Sequence, residues 1–404
     1  MPKHIEYLPI ASFGEIITGK TPSTSVDEYW YGDIPFITPT DIIGYNMYHI
    51  LKTERYVSTL GKNSQIKTVL PAHSICVSCI ASIGKICITQ EPYSITNQQI
   101  NSIIVNDNYD YKYIYYCFRY YLPYLQLIAG GTGSGTPIIS KNKFARLKYP
   151  VHVNVADQRC IASLLSAYDD LIENNNKRIQ ILENIVKDWY QHKFSTEKIK
   201  DCSNLIKLGE IIQIIRGVSY SSEEIDCEDG NDLINLKNIQ AFGGFRLDGT
   251  KKYNGKYKKE QIVKTGDLIM GVTDMTQDRR TVGSVALIPI TQNTSVISAD
   301  LIKIQSNLDN VFLYAMFRYG NISKYISQFA NGANVLHLRP QAILNIKVFI
   351  PEEKQITNFA QKVKPILDEI NILNEKNANL AKQRDLLLPR LMSGKLEIKG
   401  TDDA

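Results

Sequence analysis

Long hydrophobic runs are missing from this sequence. No apolar stretch in its 404 residues approaches the roughly eighteen residues of a membrane span. The opening residues, MPKHIEYLPIASFGEI, lack the basic start and apolar core of a secretory signal, so we expect a cytoplasmic protein. Charge of one sign is also scarce. A net charge of +5, from 46 basic and 41 acidic residues, permits nucleic-acid binding through local patches without requiring it.

The residue patterns of several enzyme classes are missing too. The six histidines show no HxH or HExxH spacing. There is no Asn/Asp-Pro-Pro-aromatic loop, which an amino-methyltransferase needs to hold its target amine. ExK patterns at Glu352–Lys354 and Glu397–Lys399 resemble those of metal nucleases, but solvated charge is the better explanation. We therefore predict no catalytic residue and no metal ligand, and a stand-alone enzyme is the weaker alternative.

Cysteine is present but scattered, with seven residues. Cys76 and Cys79 form a CxxC within SICVSCIASIGKICI, which has the composition of strand. Residues three apart in a strand point to opposite faces of the sheet. No second CxxC or histidine pair completes a zinc site, so we predict buried strand cysteines.

Glycine is concentrated in one place, the segment GGTGSGTPIISK from Gly130 to Lys141. Such a segment could be a phosphate-binding loop, since glycine lets a ligand approach the main chain. A phosphate-binding loop runs from strand to helix, however, whereas this one follows a predicted helix. Its counterpart later in the chain, QFANGANVLHLRP, lacks the glycines. We predict a flexible loop with no nucleotide.

That counterpart belongs to an internal repeat. Gly14–Ile17 returns as Gly209–Ile212, 195 residues later, and the Phe-Arg-Tyr of Phe118–Tyr120 returns 199 residues later as Phe317–Tyr319. The unit is too long for a solenoid repeat and fits a duplicated domain with its helix. Both copies mix short β-like runs with turns, which predicts α/β domains with mostly antiparallel or mixed sheets at residues 1–150 and 195–350.

Each copy ends in a stretch with a heptad pattern, at residues 151–194 and 351–404. Asn175 and Asn377 occupy polar positions of these seams, where they fix register at some cost in stability. Pro365 and Pro389 predict that the second helix starts late or kinks, then bends or ends. We predict an antiparallel coiled coil that holds the domains apart about a pseudo-two-fold axis, with two separate amphipathic helices as the alternative. The first seam comprises Ile161, Leu165, Tyr168, Ile172, Asn175, Ile179, Leu182, Val186 and Trp189. The second comprises Ile356, Phe359, Val363, Ile366, Ile370, Leu373, Asn377, Leu380, Arg384, Leu387 and Leu391.

The chain as a whole resembles the DNA-specificity subunit of type I restriction–modification systems. The resemblance rests on the paired GEII openings, the order of the repeated parts, and the phrases GDIPFITPTDI, SIGKICI, TPIISKNKF and LLLPRLMSGKL. Each motif is weak alone, and their order and duplication carry the match. The second copy departs from the first, since GKTPS becomes RGVSYSS and the glycine-rich segment has no equivalent.

This resemblance implies two target recognition domains, each of which reads one half of a bipartite, asymmetric DNA target. It implies that two methyltransferase subunits, carrying S-adenosylmethionine, dock on the helices, and that restriction subunits complete an ATP- and Mg²⁺-dependent endonuclease. No cofactor is expected on this chain. A methylation-only or other phage-defence complex, or a scaffold that binds no DNA, are the alternatives.

Candidate DNA-binding residues are cationic or amide side chains in predicted turns, because arginine suits guanine and amides suit adenine. They are Lys20, Thr21, Lys85, Gln98, Gln99, Arg279 and Arg280. The outer faces of the helices are the predicted partner surface, and its candidates are Lys177, Arg178, Arg384 and Arg390. Solvated surface side chains are the alternative for both sets.

Overall fold

The computed structural model describes residues 5–130, 136–194, 205–225, 227–290 and 293–396. The chain divides into two compact units. Unit 1 comprises residues 1–172 and 380–404, and unit 2 comprises residues 173–379. Gly131, Gly133 and Gly135 of the glycine-rich segment lie outside the described residues.

Unit 1 is a mixed α/β unit. Its strands are β1 (Ile5–Pro9), β2 (Gly14–Thr18), β3 (Trp30–Ile37), β4 (Arg55–Val57), β5 (Ile75–Ser78), β6 (Ile86–Ile88), β7 (Ile95–Thr96), β8 (Ile100–Val105) and β9 (Lys148–His152). Its short helices are α1 (Thr59–Ser64), α2 (Tyr111–Tyr120), α3 (Leu122–Gly130) and α4 (Lys141–Arg146). The single helix predicted over residues 111–128 is thus two helices, which meet at Tyr121.

Two sheets form the body of unit 1. The first has the order β2-β8-β5-β6 and is antiparallel throughout, and the second has the order β4-β3-β7 with a parallel β3–β7 pair. Their strands are rich in isoleucine, which suits a pleated surface covered on both sides. Cys76 and Cys79 are buried in the core as predicted, and burial raises the pKa of the Cys79 thiol to about 11.

Unit 2 repeats this plan. Its strands are β10 (Leu205–Lys207), β11 (Ile212–Arg216), β12 (Asn231–Ile234), β13 (Lys251–Tyr253), β14 (Ile262–Val263), β15 (Leu268–Gly271), β16 (Thr273–Asp274), β17 (Val285–Leu287), β18 (Ser295–Ile297), β19 (Leu301–Ser306), β20 (Leu336–His337) and β21 (Lys347–Phe349). Its short helices are α6 (Asn310–Tyr319), α7 (Ile322–Ser327) and α8 (Pro340–Leu344). The order β11-β19-β15-β17 matches β2-β8-β5-β6 strand for strand, as the sequence repeat requires.

Two long helices are shared between the units, α5 (Val155–Phe194) and α9 (Glu353–Met392). Within unit 2 their segments run antiparallel, since Asn175 Nδ2 donates to Asn377 Oδ1 over 2.8 Å while Arg178, further along α5, pairs with Glu369, which lies earlier in α9. Within unit 1, α5 and α9 meet through Asp169 and Arg384. The residues predicted for the α9 seam are all buried or half-buried.

Two details of the helix predictions need correction. Helix α9 does not start late, because it runs unbroken through Pro365, which is exposed while its seam neighbours Val363 and Ile366 are packed. Pro389 lies three residues before the end at Met392, in agreement with the prediction. Trp189 is 42% exposed, and Tyr190 takes the buried position instead. At this end α5 packs on Phe312 of α6, so its buried face follows a globular pattern and leaves the heptad.

In each unit the arginine of the repeated Phe-Arg-Tyr ties a short helix to α5. In unit 1, Arg119 lies 3.4 Å from Asp169, and in unit 2, Arg318 lies 2.9 Å from Glu183. These pairs fix helices α2 and α6 on the long helix within each unit. None of the described helices is both long and apolar enough to cross a membrane.

Candidate nucleic-acid interface

In unit 1 the predicted residues Lys20 and Thr21 directly follow strand β2. The preceding segment was predicted as helix-like and is a strand, because Ile16 and Ile17 are buried between β8 and the core. The chain leaves the sheet at Gly19, whose N–H donates to the Ile100 carbonyl over 3.1 Å. A side chain there would overlap the Thr96 and Asn97 backbone, so glycine allows the close approach. Lys20 is exposed just beyond it.

Gln98 and Gln99 lie on the turn between β7 and β8, beside Thr21. The Thr21 hydroxyl donates to Gln98 Oε1 over 2.9 Å, which joins the two predicted sites. Asn97 fixes the turn, because its Oδ1 accepts from the Gln99 N–H and its Nδ2 donates to Gln99 Oε1. The amide of Gln98 is exposed and offers the donor and acceptor pair that reads adenine.

Lys85 completes the unit 1 cluster from the loop between β5 and β6. This loop touches the previous turn, since the Cys79 N–H donates to the Gln99 carbonyl over 2.7 Å. The Lys85 ammonium is half-buried and donates to the Pro39 carbonyl over 2.7 Å. Lys85 therefore holds the Thr38–Asp41 turn against the loop. The fold thus brings all five residues predicted in the first repeat to neighbouring turns.

In unit 2 Arg279 and Arg280 lie on the equivalent loop, between β15 and β17. The loop covers residues 272–284, six more than its counterpart at 79–85. Arg280 is exposed and pairs with Asp278 over 2.7 Å, and Arg279 adopts a left-handed backbone with φ of 54°. The guanidinium groups stand on a polar loop between strands, as predicted.

One carboxylate shapes this longer loop. Asp274 Oδ2 accepts the N–H groups of Thr281 and Val282, over 2.6 and 3.3 Å, and its Oδ1 accepts the N–H and hydroxyl of Thr276 over 2.8 Å. Burial raises the pKa of the Asp274 carboxyl, but these hydrogen bonds outweigh it and leave the pKa below its usual value. Asp274 thereby fixes the ends of the segment that carries both arginines.

Equivalent backbone hydrogen bonds join the two loops to the rest of their units. The Val272 N–H donates to the Asp300 carbonyl over 2.9 Å, as Cys79 does to Gln99, and the Gly217 N–H donates to the Leu301 carbonyl over 3.3 Å, as Gly19 does to Ile100. Equivalent turns therefore form one surface in each unit. The charge on that surface differs, since the buried Val218 takes the place of Lys20 and unit 2 carries its cations on the loop.

Comparison with known proteins shows which proteins this chain is similar to. Residues 2–184 match the model of the type I restriction modification DNA specificity domain. The chain is 27% identical to the type I restriction enzyme MjaIX specificity subunit of Methanocaldococcus jannaschii, over 99% of this chain and 95% of that relative. The chain is thus similar to type I specificity subunits along nearly its whole length. A second specificity subunit, HindI of Haemophilus influenzae, is 38% identical over a shorter region that covers 37% of this chain and 32% of the relative.

A solved structure shares the fold of this chain. The type I restriction–modification S subunit from M. genitalium superposes with a TM-score of 0.59 at 16% identity, over 98% of this chain and 97% of that one. The predicted fold class, α/β with two related recognition domains and two long helices, is thereby confirmed.

The candidate partner residues on the two long helices occupy different surroundings. Lys177 and Arg390 are exposed on α5 and α9, and Arg178 is an exposed partner of Glu369. Arg384 was predicted on an outer face, and that placement is wrong. Its side chain is 3% exposed and pairs with Asp169 and Asp385, as its place in the seam pattern requires. Arg384 is therefore a structural residue of unit 1.

Sequence reasoning missed Asp274. Its signal is present, because an aspartate followed two residues later by threonine in a polar loop is typical of a side chain that accepts backbone N–H groups. The length difference between the two loops, visible once the repeats are aligned, also marks the place where unit 2 carries extra residues.

Proposed function

We propose that this chain is the non-catalytic DNA-recognition subunit of a type I restriction–modification complex. Each recognition domain reads one half of a bipartite, asymmetric target. The observation that carries this proposal is the repeated cluster of turns, which presents Lys20 and Gln98 in unit 1 and Arg279 and Arg280 in unit 2. Sequence reading requires side chains that reach base edges and cations that meet phosphates, and the turns supply both.

The long helices provide the docking surface for two methyltransferase subunits in this proposal. Lys177, Arg178 and Arg390 are the exposed cations on the predicted faces. S-adenosylmethionine, ATP and Mg²⁺ belong to the methyltransferase and restriction subunits, which methylate adenine N6 and cut DNA.

Selection from a pool of random duplexes tests the recognition step. The full chain, with its methyltransferase subunits, should enrich a sequence in two fixed parts separated by a spacer of any sequence. Enrichment of no sequence would favour a scaffold, and a single continuous sequence would contradict two separate readers. Mapping of methylated adenines in cells with and without the gene then shows whether the same bipartite sequence is modified.

A further inference from the structure

A tight turn in unit 2 presents an exposed aromatic ring beside the arginine loop. Phe242 lies at the tip of the turn between Ile239 and Phe245, and its side chain is 67% exposed. Its backbone is left-handed, with φ of 65°, and the two glycines that follow have φ of 110° and 109°. A left-handed backbone is unfavourable for a bulky residue and persists only where the surroundings impose it.

The surroundings of Phe242 do impose it. Its N–H donates to the Arg280 carbonyl over 2.7 Å, and the Gly244 N–H donates to the Val285 carbonyl over 2.9 Å. The Arg318 side chain lies directly under the turn, since a Cβ on Gly243 would stand 3.1 Å from Arg318 Cδ. The backbone of the turn is therefore fixed, and the exposed ring lies next to the loop that carries Arg279 and Arg280.

Unit 1 has a turn at the equivalent position, in which the left-handed residue is a glycine and not the aromatic residue. In unit 1 the Thr38 N–H donates to the Asp41 carboxylate over 2.8 Å, and in unit 2 the Asn235 N–H donates to the Asn238 side chain over 2.9 Å. The equivalent residues of the two bonds, Thr38 with Asn235 and Asp41 with Asn238, are 197 residues apart in the sequence. The same offset places Tyr45, which is 42% exposed, at the position of Phe242. The preceding Gly44 has φ of 70°.

The unit 1 turn is also joined to its predicted DNA-binding loop, through the bond from Lys85 to Pro39. Two turns of otherwise different sequence, IIGYN and IQAFGG, thus both expose an aromatic ring beside cationic or amide side chains.

We propose that Phe242, and Tyr45 in unit 1, are wedge residues that press against a base step of the target duplex and partly unstack it. The inference rests on the proposed function. An exposed apolar ring on a rigid turn, flanked by cations that can hold the phosphates, has the chemistry of side chains that enter a groove and open a base step. A protein partner for these rings is the competing outcome of the test.

Fluorescence of 2-aminopurine, placed in turn along the selected duplex, reports unstacking directly. The wild-type complex should raise the fluorescence at one step in each half of the target. Phe242→Ala should abolish the rise in one half and weaken binding about tenfold, whereas Phe242→Leu, which keeps an apolar wedge, should retain most of both. Tyr45→Ala should do the same in the other half, with Tyr45→Phe as its conservative variant.

Ile290→Ala is the matched control, because Ile290 is an exposed apolar residue of the same unit, at 85%. Its binding and fluorescence should equal those of wild type, and all variants should keep the wild-type unfolding midpoint. Phe242→Ala with unchanged fluorescence and affinity overturns the proposal, as does a variant that binds DNA normally but loses a methyltransferase subunit. Failure of the wild-type chain to enrich any sequence instead rejects the proposed function.

Discussion

The loop at residues 272–284 is longer than its counterpart in unit 1, and Arg279 and Arg280 carry its positive charge. Replacement of both by alanine should weaken binding to the selected duplex by roughly tenfold to a hundredfold, since each good base contact contributes about 1–3 kcal/mol. Lys252→Ala is the control, because Lys252 is a cation of the same unit paired with Asp232 over 2.8 Å at the start of β12. Equal affinities for the two variants, measured by titration at one salt concentration, would show that the loop does not bind DNA.

Asp274 should matter as much as the arginines that it positions. Asp274→Asn replaces one acceptor oxygen with a donor that faces N–H groups, so the free energy of unfolding should fall by about 1–3 kcal/mol. DNA affinity should fall with it, because Arg279 and Arg280 lose their placement. Asp278→Asn, on an exposed carboxylate of the same loop, should change the stability by less than about 0.5 kcal/mol.

The effect of Asp274 should depend on pH in one direction. The pKa of its carboxyl is lower in the folded chain than in the unfolded chain. Its stabilisation is therefore fully present above the ordinary carboxyl pKa of about 4 and is lost as the pH falls through the lower, folded value. The difference in unfolding free energy between wild type and Asp274→Asn should shrink on acidification, and a constant difference in urea titrations would contradict this role.

At the scale of elements, the contact of α5 with α9 in unit 1 is built on buried charge. Asp169 accepts from Arg384 and Arg119 and from the Tyr116 hydroxyl, the last over 2.6 Å. Burial raises the pKa of the Asp169 carboxyl although both arginines lower it. Desolvation thus exceeds the attraction, and the cluster specifies how the helices pair more than it adds net stability.

Removal of one partner from this cluster should be costly. Asp169→Ala leaves Arg119 and Arg384 with only the half-exposed Asp385 and removes the acceptor of the buried Tyr116 hydroxyl, so unit 1 should lose about 3–5 kcal/mol of unfolding free energy. The next residue provides the control, because Asp170 is half exposed and lies 4.0 Å from Lys112. Asp170→Ala should cost less than about 1 kcal/mol in the same denaturation experiment. An equal loss of unfolding free energy in the two variants would show that the Asp169 cluster stabilises unit 1 no more than the exposed Asp170 does.

Elements with a strong hydrophobic period in the sequence could be predicted. Elements whose conformation depends on neighbouring parts of the fold could not. The seams of α5 and α9 repeat in the sequence, and they fold as predicted except where α5 meets Phe312 and leaves the heptad at Trp189. Pro365 suggested an interruption, but the packed seam on either side of it outweighs one missing hydrogen bond. The GEII opening was predicted as helix-like, and its pairing with β8 makes it a strand.

The candidate site was predictable by residue type and not by contact. The predicted cationic and amide residues do lie on turns and loops, since such positions are exposed in almost any fold. Which of them act structurally depends on partners distant in sequence. Lys85 bonds to Pro39, 46 residues away, and Arg384 pairs with Asp169 at a separation of 215 residues. The exposed tip at Phe242 depends on a left-handed backbone that the surrounding loops impose.

At the scale of the whole molecule, the net charge of +5 is small for a DNA-binding protein. Non-specific attraction to phosphates is correspondingly limited and should weaken steeply with salt, in proportion to the number of phosphates contacted. In the proposed function, discrimination between sequences then depends on base contacts in the two separate clusters. Because each unit carries one copy of the cluster, the two copies have to be compared in the full chain.

Variants in the two units should alter opposite halves of one selected sequence. Lys20→Ala with Gln98→Ala should relax the preference in one half and leave the other intact, whereas Arg279→Ala with Arg280→Ala should do the reverse. Because the contacts are independent, the losses in affinity should multiply when the four substitutions are combined. Sequencing of the duplexes enriched by each variant measures this directly, with the Lys252→Ala chain as reference. Two outcomes would contradict the view that each unit reads its own half-site. In the first, both double variants relax the same half of the sequence, and in the second, one double variant relaxes both halves.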